Sequence, residues 1–358
     1  MEAKKKYAFE PDYAVPPGET LLEVMNSLDM TQKELAIRTN LTPQTLNRIF
    51  NGKQPITFET ANRLELVTNV TANFWNNLEV GFQEQNAKLA ERERIATDIE
   101  WLKSIPTNEL IQRGLIEPLK DKVMLLREVL RFYGVSSVTA WNLIWAKPQV
   151  AARRSPHFDS QPGSASAWIR QGELQAQAIE CEPYDKNRFM AALEEIRTLT
   201  RETPEIFEPK MRALCAQAGV AIALVKEMKR VPWSGATKWL GPHKAMILLS
   251  LRGKAEDKFW FSFFHEASHV LHDGKKDLFI DDGNRDDLRE TRADKFSAEF
   301  LIPAKYNTRI ENLDDRIGII ELAHELEIAP GIVAGRYQFL TEKWNYHKDL
   351  IRGLVWEK

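Results

Sequence analysis

Two histidines four residues apart, with a glutamate directly after the first, form the stretch of this sequence best suited to chemistry. They are His265, Glu266 and His269. On a helix, residues i and i+4 lie on one face about a turn apart, so both imidazoles can reach a single Zn²⁺ ion. Glu266 can then act as a general base on a water molecule held by the ion. The spacing therefore predicts a zinc site of the metalloprotease type.

A catalytic zinc takes three protein ligands, so a third residue is needed. Glu290 and Asp294 share one face of a second predicted helix, about two dozen residues further on. We predict that Glu290 is the third ligand and that Asp294 accepts the free ring N–H of a ligating histidine. His272 is the competing third ligand. Its place beside Asp273 and Gly274 is better explained as the end of a helix, where histidine interacts favourably with the helix dipole.

The same motif also occurs on ordinary amphipathic helices that bind no metal. Here it follows the apolar run from Phe259 to Phe264, and titratable side chains are costly to bury on such a helix without a purpose. This context, together with the phase of Glu290 and Asp294, favours the zinc interpretation.

Composition limits the class of protein. The 358 residues allow two or three domains, and the net charge of −2 excludes a uniformly basic nucleic-acid coat. Two cysteines are too few for a disulfide framework. There is neither a run of about eighteen apolar residues nor a hydrophobic signal core after the N-terminal lysines. We therefore predict a cytoplasmic protein with no membrane partner.

A second motif lies near the N-terminus. Thr31 and Glu34 predict a capping box at the head of a short helix. After a turn, Thr42 caps another helix with Pro43 at its first position, and Gly52 ends it. Two short helices joined by a tight turn are typical of a helix-turn-helix.

The second helix of this pair has a polar face that suits double-stranded DNA. Gln and Asn pair with adenine edges, Arg with guanine or phosphate, and Lys with phosphate. The alternative is that this face is simply solvated and that the helix pair binds only protein. The predicted DNA-binding residues are Gln44, Thr45, Asn47, Arg48, Lys33 and Lys53.

Residues 14–85 resemble the HigA-like antitoxin branch of the Xre-type helix-turn-helix regulators. This resemblance implies sequence-specific DNA binding as a homodimer, usually at the protein's own promoter. Several separate strings carry it in order: Pro17-Gly18-Glu19, Thr31-Gln32-Lys33-Glu34-Leu35-Ala36, Thr45-Leu46-Asn47-Arg48-Ile49, Asn51-Gly52-Lys53-Gln54-Pro55-Ile56-Thr57 and Phe74-Trp75-Asn76-Asn77-Leu78.

Residues 204–340 resemble the ImmA/IrrE-type metallopeptidases. The resemblance implies that His265, His269 and Glu290 bind zinc, that Glu266 is the general base, and that the substrate is a repressor or antitoxin-type protein. It rests on the zinc motif with the apolar run before it and on these further strings: Leu214-Cys215-Ala216-Gln217-Ala218-Gly219-Val220, Ser234-Gly235-Ala236, Leu249-Ser250-Leu251-Arg252, residues 290–303 and 328–336.

The predicted fold class is α+β, mainly helical with a small β-sheet. Strands are predicted at residues 219–225, 234–240 and 245–251, and a loop at 155–166. The predicted domains are a helix-turn-helix domain at 14–85, a helical middle region at 86–202, a gluzincin-like metallopeptidase domain at 203–340 and a C-terminal tail at 341–358.

Together these patterns predict an antitoxin-like transcriptional regulator with a zinc-dependent endopeptidase domain. Its predicted partners are a DNA operator, a protein substrate, a second copy of the chain and a toxin. Two alternatives stay open. The chain could be an antitoxin or repressor whose peptidase-like domain senses a partner or ligand without proteolysis, although a structural zinc site needs no base such as Glu266. It could also be a peptidase whose helix-turn-helix only docks the DNA-binding domain of its substrate.

Overall fold

The computed structural model describes residues 11–145, 162–274, 278–280, 288–313 and 315–356, with the backbone alone for 278–280. It is mainly helical and contains one small sheet, which confirms the predicted fold class.

The chain divides into two units. The first reaches Glu100 and takes in Asp121–Val123, and the second comprises Trp101–Lys120 and the chain from Met124 onward. Most of the predicted middle region thus shares a unit with the predicted peptidase domain. The predicted domain limits themselves remain predictions.

The helices of the first unit surround a small apolar core. Leu21, Leu35, Leu46, Leu64 and Trp75 are all fully buried in it. The helices are α1 Pro17–Ser27, α2 Gln32–Thr39, α3 Pro43–Phe50, α4 Phe58–Thr68 and α5 Ala72–Ala96.

Hydroxyl caps fix the start of α2 and of α3. The Thr31 hydroxyl accepts a hydrogen bond from the Glu34 backbone N–H at 3.2 Å, and Thr42 does the same for Thr45 at 3.0 Å. The Glu34 carboxylate, however, accepts from Arg38 at 2.7 Å. The predicted capping box is therefore only half formed, because this i,i+4 ion pair engages the glutamate.

The packing of α1 sets the position of α3. A Cβ atom at Gly18 would lie 2.1 Å from the carbonyl oxygen of Ile49. The two helices therefore approach each other at a distance that glycine allows and a larger residue does not. Between α2 and α3, Asn40 takes the left-handed conformation with φ of 54°, which makes the tight turn of the motif.

The second unit begins with mostly helical chain. Trp141, Trp145 and Trp168 are buried there, with at most 3% of each exposed, so they belong to the core rather than to a recognition surface. The elements of this part of the chain are a 3₁₀ turn at Ile99–Ser104, α6 Thr107–Gln112, α7 Lys122–Tyr133, α8 Val138–Ile144, α9 Pro162–Ala178, α10 Lys186–Leu199 and α11 Pro204–Gln217. The first two residues of the turn and of α7 belong to the first unit.

The loop predicted at residues 155–166 is partly wrong. Residues 155–161 lie outside the described residues, but Pro162–Ala178 is a helix that begins at the proline. Proline is tolerated in the first turn of a helix because its missing N–H would have no partner there. Pro162 and Gly163 therefore mark a helix start and not the end of a loop.

The sheet lies beside the helix that carries the two motif histidines. Its strands are β1 Val220–Leu224, β2 Gly235–Gly241, β3 Lys244–Leu249 and β4 Leu278–Ile280, in the order β1-β3-β2-β4. β1 runs parallel to β3, whereas β2 is antiparallel to both β3 and β4. Both faces are covered by buried apolar clusters, so the parallel strands β1 and β3 are nearly continuous apolar runs.

The remaining helices pack around the helix Glu256–His272, which follows β3. Two of them lie between residues 316 and 341, and their apolar residues Ile319, Leu322, Ile332 and Val333 are buried in the same core as this helix. The elements are α12 Glu256–His272, α13 Leu288–Leu301, a 3₁₀ turn at Ala304–Tyr306, α14 Asn307–Glu311, α15 Arg316–Glu325, α16 Pro330–Thr341 and a 3₁₀ turn at Lys348–Leu350.

Candidate metal centre and nucleic-acid interface

The two motif histidines lie on one face of α12, as their spacing predicts. His265 and His269 are 1% and 0% exposed, and their Nε2 atoms are 3.2 Å apart. Burial lowers the pKa of His269 to about 4, against the opposing effect of Asp273. The ring of His269 is therefore neutral at pH 7, which is the form that ligates a metal.

Glu290 reaches both rings from α13. Its Oε2 lies 3.1 Å from Nε2 of His265, and its Oε1 lies 3.4 Å from Nε2 of His269. One ligand atom from each of the three residues lies within 4.8 Å of the other two. His265, His269 and Glu290 thus form a possible metal site with the two-nitrogen, one-carboxylate donor set of catalytic zinc.

The outer nitrogen of each ring faces a carboxylate. Nδ1 of His265 lies 2.9 Å from Oδ1 of Asp294, and Nδ1 of His269 lies 2.6 Å from Oδ2 of Asp273. In each ring this contact is shorter than the one between Nε2 and Glu290, at 3.1 Å for His265 and 3.4 Å for His269. The shorter contact favours a proton on Nδ1 and a lone pair on Nε2. Two lone pairs and the Glu290 carboxylate then converge, an arrangement that fits a cation.

Asp273 is a partner that the sequence analysis missed. It bonds His269 as described and also pairs with Arg292. The signal was present, since Asp273 follows His269 by four residues and residues i and i+4 share a helix face. The adjacent Gly274 indicates only that the helix ends here.

We expect Asp273→Asn to weaken zinc binding by about 10- to 100-fold, because a carboxylate behind a ligating histidine orients and polarises the ring. Asp294→Asn should cost only a few-fold, since the Asp294 side chain is 50% exposed whereas that of Asp273 is 5% exposed. Competition with a chelator of known zinc affinity measures both. Arg292→Gln, which keeps Asp273, controls for loss of the ion pair, and equal losses for the two Asp variants would contradict the expected order.

Glu266 points away from solvent and towards β2. It is fully buried, and the Thr237 hydroxyl donates to its Oε2 at 2.6 Å and to its backbone oxygen at 3.1 Å. A Cβ atom at Gly235 would lie 2.6 Å from Oε1 of Glu266. Thr237 and Gly235 were not foreseen, although a glycine inside a strand can mark such a close approach.

His272, the competing third ligand, does not join the cluster of possible ligands found among the described residues. His272 is the last residue of α12, and its Nδ1 lies 3.0 Å from the carbonyl oxygen of Ser268, one turn earlier. Burial lowers the pKa of His272, and the nearby Arg292 lowers it further.

The predicted DNA-contacting side chains are distributed on and beside α3. Gln44, Asn47 and Arg48 are exposed on α3, and Lys33 and Lys53 are exposed near it. Thr45 differs from these, because it is half-buried and its hydroxyl lies 2.9 Å from that of Thr42. Its hydroxyl is therefore part of the helix cap.

Comparisons with known proteins match both parts of the chain. Residues 21–75 match the helix-turn-helix family model, and residues 227–337 match that of the IrrE N-terminal-like domain, a peptidase family. The uncharacterized HTH-type transcriptional regulator YddM of Escherichia coli is 32% identical over 92 residues, which cover 25% of this chain and 90% of that protein. A solved structure of a putative antidote protein of a plasmid maintenance system from Nostoc punctiforme is 24% identical, covers 24% of this chain and 92% of its own, and has a TM-score of 0.23.

The chain belongs to the helix-turn-helix regulator family of YddM through its N-terminal region, and it carries an IrrE N-terminal-like domain as well. The predicted resemblances to the Xre-type helix-turn-helix regulators and to the ImmA/IrrE-type metallopeptidases are thereby confirmed. The two domains support a DNA-binding regulator. Across the described parts of the chain, every helix is too short or too polar to span a bilayer.

Proposed function

We propose that this protein is an antitoxin-like transcriptional regulator that binds operator DNA as a homodimer and carries an active zinc endopeptidase. Its substrate is a cytoplasmic protein of the repressor or antitoxin type, and a toxin is a further partner. The observation that carries the peptidase part is the convergence of His265, His269 and Glu290, with the Glu266 carboxylate one residue from the first ligand.

Zinc bound at this site would supply Lewis acidity for the scissile carbonyl and would favour ionisation of water near neutral pH. The chain supplies the rest. His265, His269 and Glu290 would hold the ion, and Asp294 and Asp273 would fix the histidine tautomers. Glu266 would accept a proton from water and return it to the leaving amine. Thr237 keeps the Glu266 carboxylate in one orientation through its 2.6 Å hydrogen bond.

The buried position of Glu266 supports proteolysis over a purely structural zinc site. Burying a carboxylate costs free energy even with one hydrogen bond such as that from Thr237, and a structural site has no use for a base beside its ligands. Zinc content and a variant that lacks the Glu266 carboxylate test this part of the proposal.

DNA binding in this proposal rests on the exposed polar face of α3. Gln44, Asn47 and Arg48 are exposed on the face that can approach base edges in the major groove, since the apolar Leu46 and Ile49 of the same helix are buried in the core. Lys33 and Lys53 lie where phosphates would flank the helix. Few cations take part, so binding should depend only moderately on salt.

Arg48→Ala should weaken binding to the preferred DNA site by about ten-fold or more, because one arginine contact to a base edge contributes that much discrimination. The site is first enriched from a random duplex library with the full-length protein, and affinity is then measured by fluorescence anisotropy. Arg94→Ala is the matched control, since Arg94 pairs with Glu91 on α5. Equal affinities for the parent and Arg48→Ala would rule out α3 as the recognition helix.

A further inference from the structure

A cavity of about 550 Å³ lies within the second unit, beside the candidate metal centre. Residues of α12, α13 and α16 line it, and Phe261, Ile332 and Phe339 supply part of its apolar wall. Asp294 lines the same cavity, and its carboxylate is 2.9 Å from the ring of His265. A molecule bound in the cavity would therefore lie next to the residues that surround the metal site.

One cation in the wall of this cavity has no acid partner among the described residues. The half-buried Arg336 donates from Nε and Nη2 to Oδ1 of Asn307, at 3.2 and 3.1 Å. No carboxylate oxygen in the described part of the chain lies within 4.0 Å of its guanidinium. Burial lowers the pKa of Arg336, against the effects of the more distant Glu299 and Glu311. A neutral amide oxygen does not balance the charge of this half-buried guanidinium, so Arg336 is suited to bind an anion from outside the chain.

Neither acidic residue of the described wall lies within 4.0 Å of the Arg336 guanidinium. Oδ2 of Asp257 packs against Gly335, where a Cβ atom would lie 2.5 Å away, and its Oδ1 is buried. Burial also raises the pKa of Asp257. Asp294 is engaged with His265, as described. Lys258 and Lys295 are exposed and line the cavity too, and Lys295 pairs with Glu299 at 4.0 Å. Arg336 and Lys258 are therefore the two cations that the wall offers to an anion.

The apolar wall continues up to the arginine. The Phe339 ring centre lies 5.4 Å from the guanidinium carbon of Arg336, and Trp344 also lines the cavity with 57% of its surface exposed. A ligand that reaches Arg336 would therefore contact aromatic rings on the way. The site fits a molecule that has an acidic group at one end and an apolar body behind it.

We propose that this cavity binds a carboxylate attached to an apolar body, with Arg336 pairing the carboxylate and Phe261 and Phe339 packing against the body. The carboxylate belongs either to a free small acid or to a polypeptide. This site goes beyond the proposed function, because it requires neither zinc nor DNA.

Calorimetric titration of the full-length protein with 3-phenylpropionate tests the site, with 3-phenylpropionamide as the uncharged analogue. The acid should bind saturably and at least about ten-fold more tightly than the amide, as expected for hydrogen bonds to a charged group. Arg336→Gln should remove this preference, and Arg336→Lys should keep part of it. Arg316→Gln, at a surface arginine whose side chain is 63% exposed, is the matched control and should bind as the parent does.

The source of the carboxylate is distinguished by a second pair of probes, a short apolar peptide ending in phenylalanine and the same peptide with an amidated C-terminus. Tighter binding of the peptide acid than of 3-phenylpropionate indicates a polypeptide, and equal binding indicates a free acid. The proposal is overturned if neither acid binds saturably, if acids and amides bind equally, or if Arg336→Gln binds like the parent. All titrations are repeated on zinc-free protein, so failure of the peptidase proposal cannot be confused with failure of this one.

Discussion

Purified parent protein should contain about one zinc ion per chain, and removal of any of the three ligands should abolish this stoichiometric binding. Glu290→Ala and the double variant His265→Ala/His269→Ala are the changes with the largest expected effect on metal content. The physical reason is that two histidine lone pairs and one carboxylate converge within 4.8 Å. A site with two ligands or fewer holds zinc far more weakly than one with three.

Elemental analysis after dialysis against metal-depleted buffer measures the content directly. His272→Ala is a matched control, because His272 lies on the same helix one turn beyond His269 and outside the cluster. It should retain zinc as the parent does. Circular dichroism of each variant separates loss of a ligand from loss of the fold. If the parent is metal-free under conditions that spare weakly bound zinc and takes none up, the peptidase proposal fails.

The agreement between sequence and structure is best where the pattern is local. The histidine pair, its helix and the strands that precede it follow from spacing within one element. The meeting of α13 with α12 also follows from the phase of Glu290 and Asp294 along their own helix. Such periodic patterns can be recognised in the sequence without any knowledge of the tertiary fold.

The missed contacts are those that only topology creates. Thr237 lies 29 residues before Glu266 and contacts it because β2 lies beside α12. No local pattern marks this threonine. Arg336 is a similar case, since its lack of an acid partner among the residues that the structure describes depends on how α12, α13 and α16 enclose a cavity. Asp273 was predictable in principle, because only helical spacing was needed.

Glu266→Gln should retain zinc and lose proteolysis. The amide is almost the same size as the carboxylate and is not a metal ligand in this arrangement, so the three ligands stay in place. It cannot accept a proton from water, however, and loss of a general base typically costs about 10²- to 10⁴-fold in rate. Zinc content and cleavage should thus separate in this variant, whereas the ligand variants lose both.

Cleavage is followed without a known substrate by labelling protein N-termini in cells that produce the parent or Glu266→Gln and identifying them by mass spectrometry. Termini that depend on the peptidase should appear with the parent and be absent with the variant. Glu299→Gln, at an exposed carboxylate on α13, is the matched control and should resemble the parent. Because Glu266→Gln keeps the zinc ligands, identical termini from it and the parent would show that Glu266 is not the base. Absence of new termini with either protein, despite bound zinc, would favour the sensor function over proteolysis.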